Sequence, residues 1–228
     1  MKKIAIVDDD YDCRESLAIL VEDAGYVPEL IEGTFGNEKG LLINEIKRRN
    51  VFGVISDHRL SHGHLANFYG SELLASMYDL KIPSILITQF LDLDADTSIR
   101  KYRDKLPAVI GRGTQNPELI TQLLDFSKKE IVDGRTVSRK PHRALIRIDD
   151  YGSGFQEGII EGVVTNWNSE STVKFPVELI PENVRKQMNC SDINRLIAFV
   201  NTGASSPNDI FITDIHLAPR LEDINELS

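Results

Sequence analysis

An α/β fold, a (βα)5 doubly wound parallel sheet followed by a small all-β domain, is what this chain of 228 residues predicts. Three observations carry that expectation. Short apolar runs (Ile4-Ala5-Ile6-Val7, Val51-Phe52-Gly53-Val54-Ile55-Ser56 and Ile82-Pro83-Ser84-Ile85-Leu86-Ile87) alternate with stretches of helical periodicity, the pattern of buried parallel strands joined by crossover helices. Each run ends in a polar group: Asp8-Asp9-Asp10, Asp57 and Thr88. From about residue 143 the periodicity shifts towards two, as in antiparallel strands.

The elements follow in order. After the first strand Asp12 is placed to cap a helix with Leu17, Leu20, Val21 and Ala24 on one face, and Gly25 to end it. A second strand is expected over residues 26–31. A loop over 34–40 leads into a helix through Leu41, Leu42, Ile43 and Ile46, which ends in Lys47-Arg48-Arg49, cations suited to a helix C-terminus. The third strand stops at Asp57. A helix over 70–78 buries Leu73, Leu74 and Met77, the fourth strand ends at Thr88, and residues 92–104 read as a charged, exposed helix. Residues 106–110 make the fifth strand. Asn116 is a good N-cap with Pro117 at the first helical position, and Leu119, Ile120, Leu123 and Leu124 give the last helix its apolar face. Short joints between alternating strands and helices imply the doubly wound sheet.

The C-terminal part has a different texture. Residues 143–148, 157–167, 172–180, 196–201 and 209–217 are β-like runs, separated by turn clusters at 152–154 and 203–208. The third run alternates clearly, with Val173, Phe175, Val177 and Leu179 against Lys174, Pro176 and Glu178. The one helical stretch, 181–188, falls between the third and fourth runs. Five strands with a helix in that place fit a small barrel of the oligonucleotide/oligosaccharide-binding (OB) type, although a different barrel or sandwich reads almost the same. The expected division is therefore 1–130, a basic linker at 131–142, and a β-rich domain at 143–228.

Composition narrows the function classes. Hydrophobic residues at 41% and charged residues at 27% are those of a globular chain. No apolar run approaches the roughly 18 residues of a membrane span. Met1-Lys2-Lys3 leads into only four apolar residues before Asp8, too few for a signal-peptide core, so a cytoplasmic location is expected. Cys13 and Cys190 lack partner spacing, which points to reduced thiols. A net charge of −9 argues against nucleic-acid binding by counterion release. A basic stretch between Lys128 and Arg147 opposes that balance locally and reads as a solvated linker or an anion-binding arm.

Carboxylates at two strand ends and a hydroxyl at a third would share one edge of the sheet, where ligands of such sheets sit. That set suits a hard cation and a phosphoryl group. An acidic helix start would account for Asp8 to Asp10 alone, but not for Asp57 and Thr88 as well. His58, His62 and His64 lie just beyond Asp57, with no local carboxylate or cysteine to complete a transition-metal set, and this segment reads as an exposed polar loop.

With Asp8-Asp9, Asp57 followed by Leu60, and Thr88 after an apolar strand, residues 1–130 resemble the receiver domain of bacterial two-component response regulators. The resemblance implies that Asp57 accepts a phosphoryl group from a sensor histidine kinase. Asp8, Asp9, Asp57 and the backbone carbonyl of Arg59 would then hold Mg²⁺, and Thr88 would be the switch hydroxyl. Receivers carry a lysine near the end of strand five; Arg112 stands closest to that position here, as the expected phosphoryl-contacting cation. The loop after Asp57 is about five residues longer than the family's, with Gly70 displaced accordingly.

The function expected is that of an atypical response regulator, a signalling protein and not an enzyme on outside substrates, whose β-rich domain engages a protein target. Paired helices of a DNA reader are lacking in the C-terminal pattern, so DNA binding is disfavoured. A homodimer through the last receiver elements is a further expected association. Two other readings stand beside it: a phosphorylation-independent adaptor or phosphoryl sink, and a nucleotide- or nucleic-acid-binding barrel. Towards the last, Trp167, Phe175 and Phe199 would be stacking aromatics, and Arg135 to Arg139 has the RxxxR spacing of cyclic-di-GMP-binding PilZ barrels.

Overall fold

A computed structural model describes residues 1–150, 158–189 and 195–219. The chain forms two compact units, Met1–Asp94 with Lys105–Arg135, and Ala95–Asp104 with the chain from Thr136 onward. Cys190 and the turn expected at 152–154 lie outside the described residues. Among the described residues no helix is long and apolar enough to cross a membrane.

Unit 1 is built on five parallel strands, β1 (Lys3–Val7), β2 (Val27–Leu30), β3 (Gly53–Asp57), β4 (Ser84–Thr88) and β5 (Ala108–Gly111), in the order β2-β1-β3-β4-β5. This is one of the two common doubly wound orders. Every residue of β3 and β4 is buried, and so are Ile4 to Val7 of β1, which is why these strands read as unbroken apolar runs. The helices are α1 (Tyr11–Asp23), α2 (Lys39–Arg48), α3 (Gly70–Asp79), α4 (Leu91–Ala95) and α5 (Pro117–Asp133). Leu17 and Val21 of α1 and Ile120 and Leu124 of α5 pack with Ile4, Ile6, Ile55 and Ile85 in one core. Leu42 and Ile46 of α2 and Leu73 and Met77 of α3 are fully buried as well.

One helix cap is corrected and another is as expected. The cap of α1 is Asp10 and not Asp12: Asp10 is extended (φ −91°, ψ 125°) and its carboxylate accepts from the Cys13 amide at 2.8 Å. At the other end of unit 1, Asn116 caps α5 as its sequence implies, accepting from Leu119 N at 2.9 Å.

The larger correction concerns residues 92–104, which do not form one exposed helix. The α4 turn ends at Ala95, a 3₁₀ segment follows at Arg100–Lys105, and Ile99, Arg100 and Arg103 are buried. Arg100 is 1% exposed. Its Nε donates to Lys174 O (3.1 Å), its Nη1 to Pro207 O (2.8 Å) and Ile210 O, and its Nη2 to Asp96 Oδ1 (2.9 Å). A charge pattern that looks solvated along the chain is thus satisfied by carbonyls far away in sequence, as a buried cation requires.

Unit 2 is an antiparallel sheet of β6 (His142–Asp150), β7 (Ile159–Val164), β8 (Thr172–Pro176), β9 (Arg195–Val200) and β10 (Ile212–Leu217), in the order β10-β9-β6-β7-β8. Helix α6 (Glu182–Asn189) connects β8 to β9. One face is the core: Ala144, Ile146 and Ile148 pack with Leu196, Ala198, Val173, Phe175 and Met188. The connectivity is that of an OB-type barrel, but among the described residues the edges β8 and β10 do not pair, so the sheet is a half-barrel. Strand β8 stops at Pro176, where the Val177 amide makes a last cross-strand bond to Gly158 O at 2.9 Å, and a 3₁₀ turn, Val177–Leu179, follows.

The three aromatics, which suit core positions better than a stacking platform, separate. Phe175 is in the core, Trp167 packs against it with its indole N–H on Ala204 O at 2.7 Å, and Phe199 is 41% exposed. Arg139, expected in a solvated linker or an anion-binding arm, is instead buried, and its Nη2 donates to the carbonyls of Arg103 and Asp104 at 3.3 and 3.0 Å.

Candidate functional site

Parallel register brings the strand ends together. Val7 is level with Ser56, Asp57 with Ile87 and Thr88 with Gly111, so Asp8, Asp57, Thr88 and Arg112 emerge on the carboxyl edge of the sheet. The Arg112 amide donates to Thr88 O at 2.7 Å, which extends the β4–β5 pairing by one residue and fixes where its side chain departs.

Asp8 is 1% and Asp57 7% exposed. One nitrogen of Arg112, Nη2, donates to both, to Asp8 Oδ2 at 2.8 Å and to Asp57 Oδ1. The second oxygen of each carboxylate is also engaged: Asp8 Oδ1 accepts from Asp10 N at 3.0 Å, and Asp57 Oδ2 from Arg59 N at 2.6 Å. Burial pushes both carboxyls above the usual carboxylate range, and the Arg112 guanidinium pulls them part of the way back. Two buried anions sharing one cation is an arrangement that loses much if the cation is removed.

Thr88 and its neighbours form a second cluster. The Thr88 hydroxyl donates to Asp94 Oδ2 at 2.5 Å and accepts from Phe90 N at 3.2 Å. Asp94 is 2% exposed, and its other oxygen accepts from Arg59 Nη2 at 2.8 Å. The Arg59 guanidinium lies 4.5 Å from the Phe90 ring centroid, a cation–π contact that steadies the side chain. The sequence reading missed Asp94. It is one acid among several in an acidic stretch, and only its burial beside Thr88 distinguishes it.

The long loop after Asp57 is exposed at Ser61 to His64, as its sequence implies, but is anchored beyond them. Leu65 and Ala66 are buried, Phe35 N donates to Leu65 O at 2.7 Å, and Asn67 N to Gly36 O at 2.8 Å. Its tip reaches Asp9, whose Oδ2 accepts from Gly63 N at 2.6 Å. A Cβ on Gly63 would lie 2.0 Å from Asp9 O, and one on Gly70 1.9 Å from Asp57 O. Both positions therefore require glycine, and the displaced Gly70 keeps a close approach to the site.

The three histidines do not converge. His58 is fully buried and stacked on Tyr69 (centroids 4.8 Å apart, planes at 10°), with its pKa pushed down to about 4 by burial, so it packs as a neutral ring. His62 lines the pocket above the carboxylates, and His64 sits at φ 60° on the loop. Among the described residues no three His, Cys, Asp or Glu side chains are grouped to hold a metal ion. The pocket itself, lined by Asp8, Asp9, Asp57, Arg59, Thr88 and Arg112 among others, has a volume of about 180 Å³.

No protein-family model matches the chain, and no curated protein matches it by sequence. Solved receiver domains are similar to its N-terminal part. A response regulator receiver domain protein from Clostridium thermocellum is 16% identical, with 57% of this chain and 96% of that one covered and a TM-score of 0.44. A CheY-like receiver domain protein from Methanospirillum hungatei JF-1 is 26% identical (57% and 98% covered, TM-score 0.44), and a response regulator from Chloroflexus aurantiacus J-10-fl 18% (55% and 97%, TM-score 0.43). What the N-terminal unit can do follows from its own side chains.

Proposed function

We propose that this chain is a response regulator whose N-terminal unit accepts a phosphoryl group on Asp57 from the phosphohistidine of a sensor histidine kinase, and whose β-rich unit acts on a protein partner. The supporting observation is the convergence of Asp8 and Asp57 on one guanidinium nitrogen at the open end of a parallel sheet, with the Thr88 hydroxyl on the next strand. In the transfer an Asp57 carboxylate oxygen forms the new P–O bond while the P–N bond of the phosphohistidine breaks, and the imidazole leaves with a proton from solvent. Such transfers need positioning and charge neutralisation more than covalent help. Arg112 lies where it can neutralise the phosphoryl oxygens, and Thr88 can donate to one of them after leaving Asp94.

Mg²⁺ takes one or two carboxylates from a protein and completes its shell with waters, and the pair Asp8 and Asp57 meets that need, whereas Asp9 would have to leave Gly63 N before a third carboxylate faced the same ion. Asp8 and Asp57 converge closely enough to share a guanidinium nitrogen, and Asp9 lines the same pocket with its Oδ2 on Gly63 N. Asp8, Asp9, Asp57 and the carbonyl of Arg59 would hold the ion, which when bound supplies further neutralisation of phosphoryl charge.

One observation favours a second reading. Arg112 already bridges both buried acids and the loop already caps Asp9, so the unit can stand as an adaptor whose buried acids are hydrogen-bonded without a phosphoryl group. Incubation of the full chain with acetyl phosphate and Mg²⁺, read by intact mass, separates the two. A gain of one phosphoryl group that vanishes in Asp57→Asn supports the acceptor; no gain, or a gain that survives the substitution, sinks it and leaves the adaptor.

A further inference from the structure

Asp94 stands at a particular place in the chain. It is the last residue of unit 1 before the ten residues Ala95–Asp104 that belong to unit 2. On its N-terminal side it holds the Thr88 hydroxyl and Arg59 (2.5 and 2.8 Å), and its amide donates to Phe90 O at 2.9 Å, closing the α4 turn. On its C-terminal side the segment is fastened within unit 2 by Arg100, by Arg103 Nη2 on Asp209 Oδ1 (2.8 Å) and by Arg139 on the carbonyls of Arg103 and Asp104. The carboxylate that holds Thr88 is thus one peptide bond from a segment of the other unit.

We propose that Asp94 is a positioning residue that keeps Thr88 in its resting place and couples its release to the segment 95–104. The inference rests on the phosphoacceptor reading of Asp57. The Thr88 hydroxyl has one proton, and it is committed to Asp94 Oδ2. To donate to a phosphoryl oxygen on Asp57 it must let Asp94 go, while the carboxylate keeps Arg59. Arg59 follows Asp57 by two residues and its amide donates to the Asp57 carboxylate, so both partners of Asp94 feel a charge change at Asp57. The α4 turn then loses one of the bonds that pin its C-terminal end, keeping those to Arg59 and Phe90 O, and the loosening passes along the backbone into 95–104. A switch of this kind needs a local charge change and an element with two arrangements; here the element is the α4 turn with the segment that follows it.

Hydrogen exchange of the amides of 96–104 in the full chain tests this, with acetyl phosphate and Mg²⁺ as donor and intact mass to read phosphoryl occupancy. Phosphorylated wild type is expected to exchange these amides about tenfold faster, the effect of losing one hydrogen bond to a charged group on a local opening equilibrium. Asp94→Asn is expected to show most of that increase without donor and little further change with it. Thr88→Val cuts the same bond from the other side and serves should Asp94→Asn fail to fold. Mass gain with unchanged exchange in wild type, or a full donor response in Thr88→Val, overturns the latch while leaving Asp57 an acceptor. No mass gain in wild type removes the phosphoacceptor reading and the trigger with it.

Discussion

Replacing Arg100 by methionine keeps much of the side chain's volume and removes its charge and its donors. The guanidinium makes four hydrogen bonds, to the carbonyls of Lys174, Pro207 and Ile210 and to Asp96. Each bond from a charged donor contributes about 1.5–3 kcal/mol, so the gross loss is on the order of 6–12 kcal/mol. Two effects offset part of it. Burial disfavours the charged form of this arginine, which holds its proton less tightly than usual, and that desolvation cost disappears with the charge. Asp96, whose side chain is 30% exposed, regains water. A net destabilisation of about 3–5 kcal/mol remains, the range measured when one partner of a buried charged network is removed. The chain has a single tryptophan, Trp167, and it lies in unit 2 with its indole bonded to Ala204 O, so its fluorescence follows that unit alone and avoids a two-state assumption for the whole chain. With a urea slope of about 1.5 kcal/mol/M for a unit of this size, the Trp167 midpoint is expected to fall by roughly 2–3 M. A fall of less than about 0.5 M would show that residues 95–104 are not an integral part of unit 2.

Arg112→Met leaves Asp8 and Asp57 buried and uncompensated, and is expected to destabilise unit 1 by about 2–4 kcal/mol, read as faster exchange of the β1 and β3 amides. Arg112→Lys, which keeps the charge but not the planar fork, is expected to recover about half or more of that loss, and equal losses in the two variants would contradict the bridging role. Gly63→Ala brings a methyl group within 2.0 Å of Asp9 O, so the loop tip must lift; limited proteolysis is expected to cut within 61–64 in this variant and not in wild type, and unchanged digestion would count against the cap over Asp9. Hydrogen bonds from Arg48 and then Arg49 lower the Glu45 pKa from 4.5 to about 2. Because its folded value is depressed, this carboxylate contributes stability that is present above about pH 4.5 and lost as the pH falls through about 2. Carbon NMR of the Glu45 carboxyl should place its midpoint near 2 at low salt and closer to 4.5 in concentrated salt; a midpoint near 4.5 at low salt would contradict the pairing.

The strands that carry Asp8, Asp57 and Thr88 were legible because a parallel strand covered on both faces can be written only in apolar residues, and the polar residue that ends each one stands out. The half-barrel was legible for a related reason: alternation in β8 and the position of α6 between the third and fourth strands restrict the connectivity. The segment 95–104 was not. Its charged residues carry the local signature of a solvated helix, and what reverses that signature lies 74 to 110 residues further along the chain, in the carbonyls that receive Arg100. Asp94 was hidden in the same way, since its partner Arg59 is 35 residues away. The long loop misled in the opposite sense: its histidines drew attention, while Leu65 and Ala66 do the anchoring.

The charge balance of the pocket connects the two clusters. Asp8, Asp9, Asp10 and Asp57 line the pocket with two guanidiniums, Arg59 and Arg112, and Asp94 pairs with Arg59 beside it. Each guanidinium is shared: Arg112 bridges two acids, while Arg59 pairs with Asp94 and gives its backbone amide to Asp57. The resting pocket therefore carries more negative than positive charge, which favours a cation there under the phosphoacceptor reading. Phosphorylation of Asp57 replaces one negative charge by about two. The added charge lies nearest to Arg112 and to the backbone of Arg59, so the demand for donors at Asp57 rises while Asp94 holds two of the nearest ones, the Thr88 hydroxyl and the Arg59 side chain. The hydroxyl is the donor that can leave with less loss, because a neutral group contributes less to a carboxylate than a guanidinium does. On that ordering Thr88 moves first and Arg59 stays with Asp94, and Thr88→Val is expected to lengthen or shorten the life of the phosphoryl group without abolishing its uptake, whereas loss of uptake in Thr88→Val would place the hydroxyl in the transfer step itself.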